Sequence, residues 1–330
     1  YIDRLQGNIV YDNGLVRTDD VRLSVGEGSA KVKGQYVVDT GDFDTTIKIQ
    51  NLPLGTLFRL KKARHEGHIS PVTGNIDGEM RILGKNNQVT DVVGSVKGRQ
   101  IGIRGVVVDT AKANFTHADN STNMTVVGTI GDGALSGYGY IQNGNIDATI
   151  SGNALPLTAL SLIIGQDVDG TLNTSFAIQG TLDNPNVMGT VWGQEVHYKG
   201  ARFNNIHGDI KLDNHILTIT NGHIGDGDGG YDVNGWYNLN TDVLDLNAKA
   251  RAARIENVIR TVTDVPITGW FETDNHITGT VANPIIEGRV HLWDGSAYGK
   301  LVTNAFAKYN YKNDILELYR FDIEGYGATI

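Results

Sequence analysis

The segment Asp209-Ile210-Lys211-Leu212-Asp213 carries an apolar residue at every second position. This alternation is typical of a β-strand with one apolar and one polar face, because successive side chains point to opposite sides of the pleat. The pattern recurs at Val21-Arg22-Leu23-Ser24-Val25, Thr46-Ile47-Lys48-Ile49, Leu244-Asp245-Leu246-Asn247-Ala248 and Ile315-Leu316-Glu317-Leu318. Turn-forming residues separate such runs, at Asp12-Asn13-Gly14, Asn143-Gly144, Asp213-Asn214 and Lys312-Asn313-Asp314. Because Asn and Gly accept the positive φ of tight hairpins, the sequence predicts a meander of antiparallel strands.

Composition excludes several classes of protein. The 330 residues include 42 Gly, 6 Pro and no Cys, 40% are hydrophobic, and the net charge at pH 7 is −9. This hydrophobic content is inconsistent with intrinsic disorder, and the negative charge is inconsistent with nucleic-acid binding, which needs clustered Lys and Arg. The absence of cysteine excludes disulfides, thiolate metal sites and Cys nucleophiles.

The sequence contains no apolar run near the ~20 residues that a membrane-spanning helix requires. The first residues, Tyr1-Ile2-Asp3-Arg4-Leu5, also lack the apolar core of a signal peptide. The last residues read as the middle of a strand. We therefore expect a fragment of a longer protein, without a membrane span in this part.

Three short segments interrupt the alternation with apolar residues at helical spacing, at 53–64, 156–165 and 252–262. Each follows the end of a strand and precedes a strand that contains Gly. We predict three short helices, which could plug the ends of a groove, cover one edge or lie partly within it.

Glycines recur at intervals of about a hundred residues. One set lies 96 and 99 residues apart, at Gly74, Gly170 and Gly269, and a second set follows ten residues later, at Gly84, Gly180 and Gly279. The two later copies contain the turns Asn184-Pro185 and Asn283-Pro284, whereas the first copy lacks the proline. The sequence thus predicts repeat units over about 1–73, 74–169, 170–268 and 269–330, without linkers between them.

These patterns predict an all-β fold with a few short helices, in which residues 1–330 form one long curled antiparallel sheet built from ~100-residue repeats. A sheet with one apolar face must pack on a second sheet, close into a barrel or curl into an open trough. Only the short helices are available to cover it, and glycines within strands permit curvature. The alternation is equally consistent with an ordinary β-sandwich core.

An apolar trough would be a good solvent for acyl chains. Each CH₂ group removed from water contributes about 0.8 kcal/mol, so a bridging groove would lower the barrier to lipid transfer without catalytic chemistry. Alternation predicts the residues of this lipid-binding groove: Leu23, Val25, Ile47, Ile49, Ile210, Leu212, Leu217, Ile219, Leu244, Leu246, Leu316 and Leu318.

The glycine-spaced Asn-Pro pattern at 180–191 and 279–290 resembles the repeat of TamB-like proteins, as do residues 235–239 and the strand at 244–250. Those proteins belong to the AsmA-like, bridge-type lipid-transfer proteins of diderm bacteria. The resemblance implies a periplasmic part of an inner-membrane-anchored protein, with a taco-like β-sheet that conducts phospholipid. It also implies outer-membrane biogenesis, the assembly or secretion of outer-membrane proteins, and a barrel partner of the Omp85 class.

Possible metal ligands occur in three places. His65-Glu66-Gly67-His68 lacks the i,i+4 spacing of a zinc protease motif, while His207, His215 and His223 fall at eight-residue intervals that could align on neighbouring strands. The sequence Asp226-Gly-Asp228-Gly-Gly resembles a calcium loop but lacks the bidentate Glu of an EF-hand, which favours a hairpin turn. We predict no metal site and no cofactor.

Paired carboxylates could support glycoside hydrolysis, but each pair lies in a turn-like, solvated context, at Asp19-Asp20, Asp42 with Asp44, and Asp167 with Asp169. We therefore predict no catalytic residue and no enzymatic activity. The four tryptophans, Trp192, Trp236, Trp270 and Trp293, either pack between strands or line the groove. Two alternative functions remain consistent with the sequence: an extracellular structural or adhesive β-solenoid of the passenger type, and a polysaccharide-active enzyme.

Overall fold

The computed structural model describes residues 2–55, 72–103, 106–160, 168–181, 184–262, 265–325 and 328–329. The chain divides into two compact units, Tyr1–Leu155 with Gln179–Asp183, and Pro156–Ile178 with Asn184–Ile330. In both units nearly every described residue lies in an antiparallel strand. The prediction of an all-β, antiparallel fold is confirmed, and the described residues contain one short α-helix.

The first unit is a meander in which consecutive strands pair antiparallel from β3 to β11. The two shortest strands, β1 and β2, both pair with β3. The strands are β1 (Arg4–Gln6), β2 (Val10–Asp12), β3 (Leu15–Val25), β4 (Gly28–Val37), β5 (Asp42–Pro53), β6 (Asn75–Lys85), β7 (Gln88–Ile103), β8 (Val106–Ala118), β9 (Ser121–Ile130), β10 (Gly133–Gln142) and β11 (Asn145–Pro156).

The second unit continues the same topology, with consecutive antiparallel pairing from β13 to β22. Its strands are β12 (Val168–Thr181), β13 (Pro185–Tyr198), β14 (Ala201–Asp213), β15 (Ile216–Asp226), β16 (Gly229–Asn238), β17 (Val243–Arg254), β18 (Ile267–Thr280), β19 (Pro284–Ala297), β20 (Lys300–Lys312), β21 (Ile315–Gly325) and β22 (Ala328–Thr329). The last residues of β12, from Gln179, belong to the first unit.

Helix α1 spans Ile255–Val262, which is shorter than the predicted 252–262. Ala252 has a φ of 44°, outside the right-handed helical region, and Ala253 pairs with Phe271 in the sheet, so strand β17 continues to Arg254. Of the predicted helix at 156–165, residues Leu157–Leu160 form a 3₁₀ turn, and 161–165 lie outside the described residues. The predicted helix at 53–64 begins on Pro53, which ends β5, and its residues 56–64 also lie outside the described part.

Non-glycine residues with positive φ occur inside several strands, and at some of them the pairing register shifts. One set lies 103 and 98 residues apart, at Asn51, Ala154 and Ala252, and a second lies 95 and 99 residues apart, at Gln100, Glu195 and Asp294. The register shifts between Ile49 and Leu52 and between Ala250 and Ala253 identify two of these positions as β-bulges. Bulges bend a strand and increase its local twist.

Candidate functional site

One face of the second unit carries rows of large aliphatic side chains, because directly paired residues of neighbouring strands project to the same side. One row crosses β14 to β21 at Ile210, Ile219, Gly235, Leu246, Ile277, Ile286, Tyr311 and Leu316. The adjacent row runs through Val187, Leu212, Leu217, Tyr237, Leu244, Gly279 and Pro284. We call these two rows, from β14 to β19, the apolar stripe.

The apolar stripe brings six of the predicted groove residues together, namely Ile210, Leu212, Leu217, Ile219, Leu244 and Leu246. Leu316 lies in the same row on β21, and Leu318 lies in the next row, opposite Tyr309. The side chains of Leu316 and Leu318 are 58% and 52% exposed.

The stripe is only partly covered. Its aliphatic side chains are half-buried, except for Leu244, which is 9% exposed. In a β-sandwich such positions are sealed between two interdigitated sheets. Among the described residues, no large side chain falls below 2% exposure. The stripe therefore retains apolar surface that another molecule can contact.

The predicted groove residues of the first unit lie in or against a buried cluster. Val25 and Ile49 are 6% and 8% exposed and form a cluster with Leu52. Leu23 and Ile47 are half-buried and pack against this cluster. These four predicted groove residues therefore contribute to the core of the first unit.

In the second unit, helix α1 covers the end of the apolar face that lies beyond the apolar stripe. Five residues beneath it form a buried cluster, against which Ile255 and Val258 of α1 pack: Ala250, Ala253, Phe271, Leu292 and Val302. The helix contacts β18 and β14. The sequence left the position of this helix undecided, and the structure shows it on the apolar face. The helix covers the buried cluster at one end of this face, and the apolar stripe lies beyond it.

A buried carboxylate anchors the start of α1. Asp226 is 4% exposed and accepts hydrogen bonds from the Tyr231 hydroxyl at 2.9 Å, the Arg254 backbone N–H at 3.0 Å and the Asn257 side-chain amide at 2.8 Å. Burial, together with the Asp226 contact, raises the pKa of Tyr231. The predicted hairpin turn is confirmed, with Gly227 and Asp228 between β15 and β16. Asp226 joins this turn to the β17–α1 junction.

We expect Asp226→Ala to lower the free energy of unfolding by about 1–3 kcal/mol, because it leaves buried donors without an acceptor. Urea unfolding of the whole chain measures this effect. Asp228→Ala is the matched control, since Asp228 is exposed in the same turn. Equal effects of the two substitutions, or stabilisation of the wild-type chain by Ca²⁺, would contradict the anchoring role.

The opposite face of the second unit is polar and carries the histidines. His207 and His223 are directly paired, with ring centroids 5.1 Å apart, and His223 Nδ1 lies 2.7 Å from Asp232 Oδ1. His215 lies instead in the β14–β15 turn, with a φ of 65°. No group of three or more potential ligands suited to a metal ion occurs within the described ranges, which do not include His65 or His68.

The tryptophans also lie on this polar face. Trp192 pairs with His207 and Trp236 pairs with Asp245, and their side chains are 44% and 37% exposed. Trp270 pairs with Trp293, and the Arg254 guanidinium lies 3.7 Å from the Trp270 ring centroid. The tryptophans therefore do not line the apolar stripe.

The polar face of the first unit carries several ion pairs. Arg81 donates hydrogen bonds of 2.9 and 2.6 Å to Asp44, and these bonds hold the pKa of Asp44 below its usual value. Asp19 and Asp20 pair with Lys33 and Lys31 at 3.1 and 3.2 Å. These pairs engage three of the carboxylates that the sequence offered as acid–base candidates.

The remaining acid–base candidates are engaged by backbone groups or lie outside the described residues. Asp42 Oδ1 accepts a hydrogen bond from the Asn86 N–H at 3.3 Å, and Asp169 Oδ1 accepts one from the Gly170 N–H at 2.7 Å. Asp167 is not among the described residues.

The polar face of the first unit also contains two open pockets, of about 550 and 750 Å³, that the sequence did not predict. Exposed cations line the first, and Tyr138 and Tyr140 line the second, among amide and hydroxyl side chains. Only the register of neighbouring strands brings these residues together, so no local sequence signal identifies them.

The fold and the candidate site define an antiparallel β-sheet protein with one polar face and one apolar face that is only partly covered. No family model, curated protein or solved structure matches this chain. Among the helices of the described residues, none is long and apolar enough to cross a membrane.

Proposed function

We propose that this chain is a lipid-carrying segment of a bridge-type protein, in which the apolar stripe holds the acyl chains of phospholipids during transport between membranes. The observation that carries the proposal is the half-buried state of the large aliphatic side chains in the stripe, opposite a polar face. A sheet that sealed both faces would offer no such surface, and a sheet with two polar faces would not retain acyl chains.

The energetics favour such a role. Transfer of a lipid with two long acyl chains from a membrane into water costs a free energy on the order of 20 kcal/mol, at about 0.8 kcal/mol for each CH₂ group. Contact of the acyl chains with an aliphatic protein face recovers part of this free energy without any covalent chemistry. Because the interaction is non-directional, chains can slide along successive strands instead of occupying one fixed site.

The proposal includes a β-taco architecture built from ~100-residue repeats. The positive-φ residues recur at intervals of 95 to 103 residues, the period of the glycine pattern. Bulges at a constant period would bend each repeat in the same direction and so curl the sheet around its apolar face.

The resemblance to TamB-like proteins supports the biological setting of the proposal. On this resemblance, the proposal is that the chain lies in the periplasm of a diderm bacterium, as part of an inner-membrane-anchored protein that supports outer-membrane biogenesis. A barrel partner of the Omp85 class and a role in outer-membrane protein assembly or secretion belong to the same proposal.

Photo-crosslinking tests the proposal directly. A benzophenone amino acid at Leu246 in the stripe should capture lipid in cells at least tenfold more efficiently than the same probe at Asn247, because adjacent strand residues point to opposite faces. Asn247 is exposed and pairs with Asn234 and His276 on the polar side. The adducts are identified by mass spectrometry after extraction.

Equal lipid labelling at residues 246 and 247 would argue against an acyl-chain face. Native mass spectrometry of the gently extracted protein provides a second measurement. Absence of any bound lipid would favour the adhesive β-solenoid, which predicts binding of an external surface. Turnover of a polysaccharide would favour the enzymatic alternative.

A further inference from the structure

A hydrogen-bonded polar pair interrupts the apolar face of the second unit. Asn275 pairs with Ala248 on β17 and with Gly288 on β19, and Gly288 pairs in turn with Tyr309 on β20. The Tyr309 hydroxyl donates a hydrogen bond of 2.6 Å to Asn275 Oδ1, across the space that a side chain on Gly288 would fill. Both polar groups therefore lie one row away from the apolar stripe.

The corresponding positions elsewhere in the chain are apolar. Counted six residues from Gly74, Gly170 and Gly269, they are Met80, Phe176 and Asn275. The side chains of Met80 and Phe176 approach Gly94 and Gly189 as the Asn275 amide approaches Gly288. Packing over the glycine therefore does not require a polar residue, and the amide at Asn275 needs another explanation.

The pair leaves hydrogen-bond donors available. Tyr309 occupies one lone pair of Asn275 Oδ1, and the Asn275 NH₂ group has no partner among the described residues. Burial raises the pKa of Tyr309, and its side-chain hydrogen bonds with Thr273 and Asn275 partly offset this rise. The hydrogen bond from the Tyr309 hydroxyl to Asn275 Oδ1 orients the amide. An amide NH₂ that is oriented in this way can donate to a carbonyl oxygen.

The surroundings favour an uncharged acceptor. The apolar-face positions of β17 to β20 around this pair carry no charged side chain among their described residues, and they include Ala248, Ala250, Val290 and Ala307. A carboxylate or phosphate would lose hydration here without gaining a cation, whereas an ester carbonyl needs only a donor. The pair also borders the cluster beneath α1, of which Ala250 is a member.

We propose that the Asn275 amide donates a hydrogen bond to the ester carbonyl of a neutral acyl ester whose hydrocarbon chain lies along the apolar stripe. This inference rests on the proposed function, because it specifies the chemical group that the same face recognises. Asn275 would then give the ester end of a passing lipid one weak contact point, while the stripe binds its chain without fixed register.

The test compares methyl hexadecanoate with octadecane, two probes of similar chain length that differ in the ester. Each probe displaces a fluorescent acyl probe from the purified chain. One hydrogen bond contributes about 1 kcal/mol, which corresponds to about a fivefold preference for the ester in the wild-type protein. Asn275→Met should abolish this preference while retaining octadecane binding, and Asn247→Met on the polar face should leave the preference unchanged.

Tyr309→Phe provides a second variant that keeps the amide donors, so we expect it to retain at least half of the ester preference. If the wild-type chain binds neither probe, the proposed function fails. If it binds both probes and Asn275→Met leaves their affinity ratio unchanged, the ester inference alone fails. Tighter binding of hexadecanoate than of its methyl ester would overturn the choice of an uncharged ester group as the acceptor.

Discussion

Ile219→Asp should reduce lipid loading by at least tenfold. Ile219 lies in the apolar stripe, where it pairs with Ile210 and Gly235. A carboxylate there would have to lose hydration whenever an acyl chain passes, and an unpaired charge in an apolar site costs several kcal/mol. The measurement is the amount of phospholipid that co-purifies with the chain, together with its transfer between donor and acceptor vesicles.

Thr218→Asp is the matched control, because it adds the same charge one residue away on the polar face. Thr218 pairs with Lys211 and Trp236, so the new carboxylate faces a lysine and should be tolerated. We expect lipid loading within twofold of the wild-type level. An equal loss in both variants would indicate general damage to the sheet, and full loading in Ile219→Asp would contradict the assignment of the stripe.

Gly229→Ala should produce a large loss of stability. A Cβ at Gly229 would lie closer than 3.0 Å to the carbonyl groups of Arg251 and Ala252, at the bulge where β17 bends before α1. Backbone atoms cannot rotate away as a side chain can, so overpacking should cost about 1–3 kcal/mol. With a urea m-value of about 1–3 kcal/mol/M, the unfolding midpoint should fall by roughly 1 M.

Gly208→Ala serves as the control for this substitution. The nearest atom to a Cβ at Gly208 is the Gly222 Cα at 3.4 Å, which is ordinary van der Waals contact. Its unfolding midpoint should therefore stay close to that of the wild-type chain. Comparable destabilisation by the two substitutions would show that glycine is needed for backbone freedom throughout the sheet, and not for close approach at the bulge.

The alternation of apolar and polar residues predicted the strands and their faces well. Ile210, Leu212, Leu217 and Ile219 share one face, and Lys211 and Thr218 share the other. Local patterns predict these features because the pleat has a period of two residues. The extent of the helices was less predictable, since the positive φ of Ala252 and the pairing of Ala253 extend β17 into the predicted helix. Tertiary strand pairing overrides local helical spacing there.

The sequence by itself determined the all-β class, the hairpin order and the apolar identity of the face, because each depends on neighbours along the chain. Only the tertiary structure decided that Val25 and Ile49 are buried in a cluster while Ile219 and Leu246 are half-exposed. It also decided that α1 closes one end of the face and that Asn275 meets Tyr309 across Gly288. Burial and cross-strand contacts depend on residues from distant strands, and their positions follow from register and bulges.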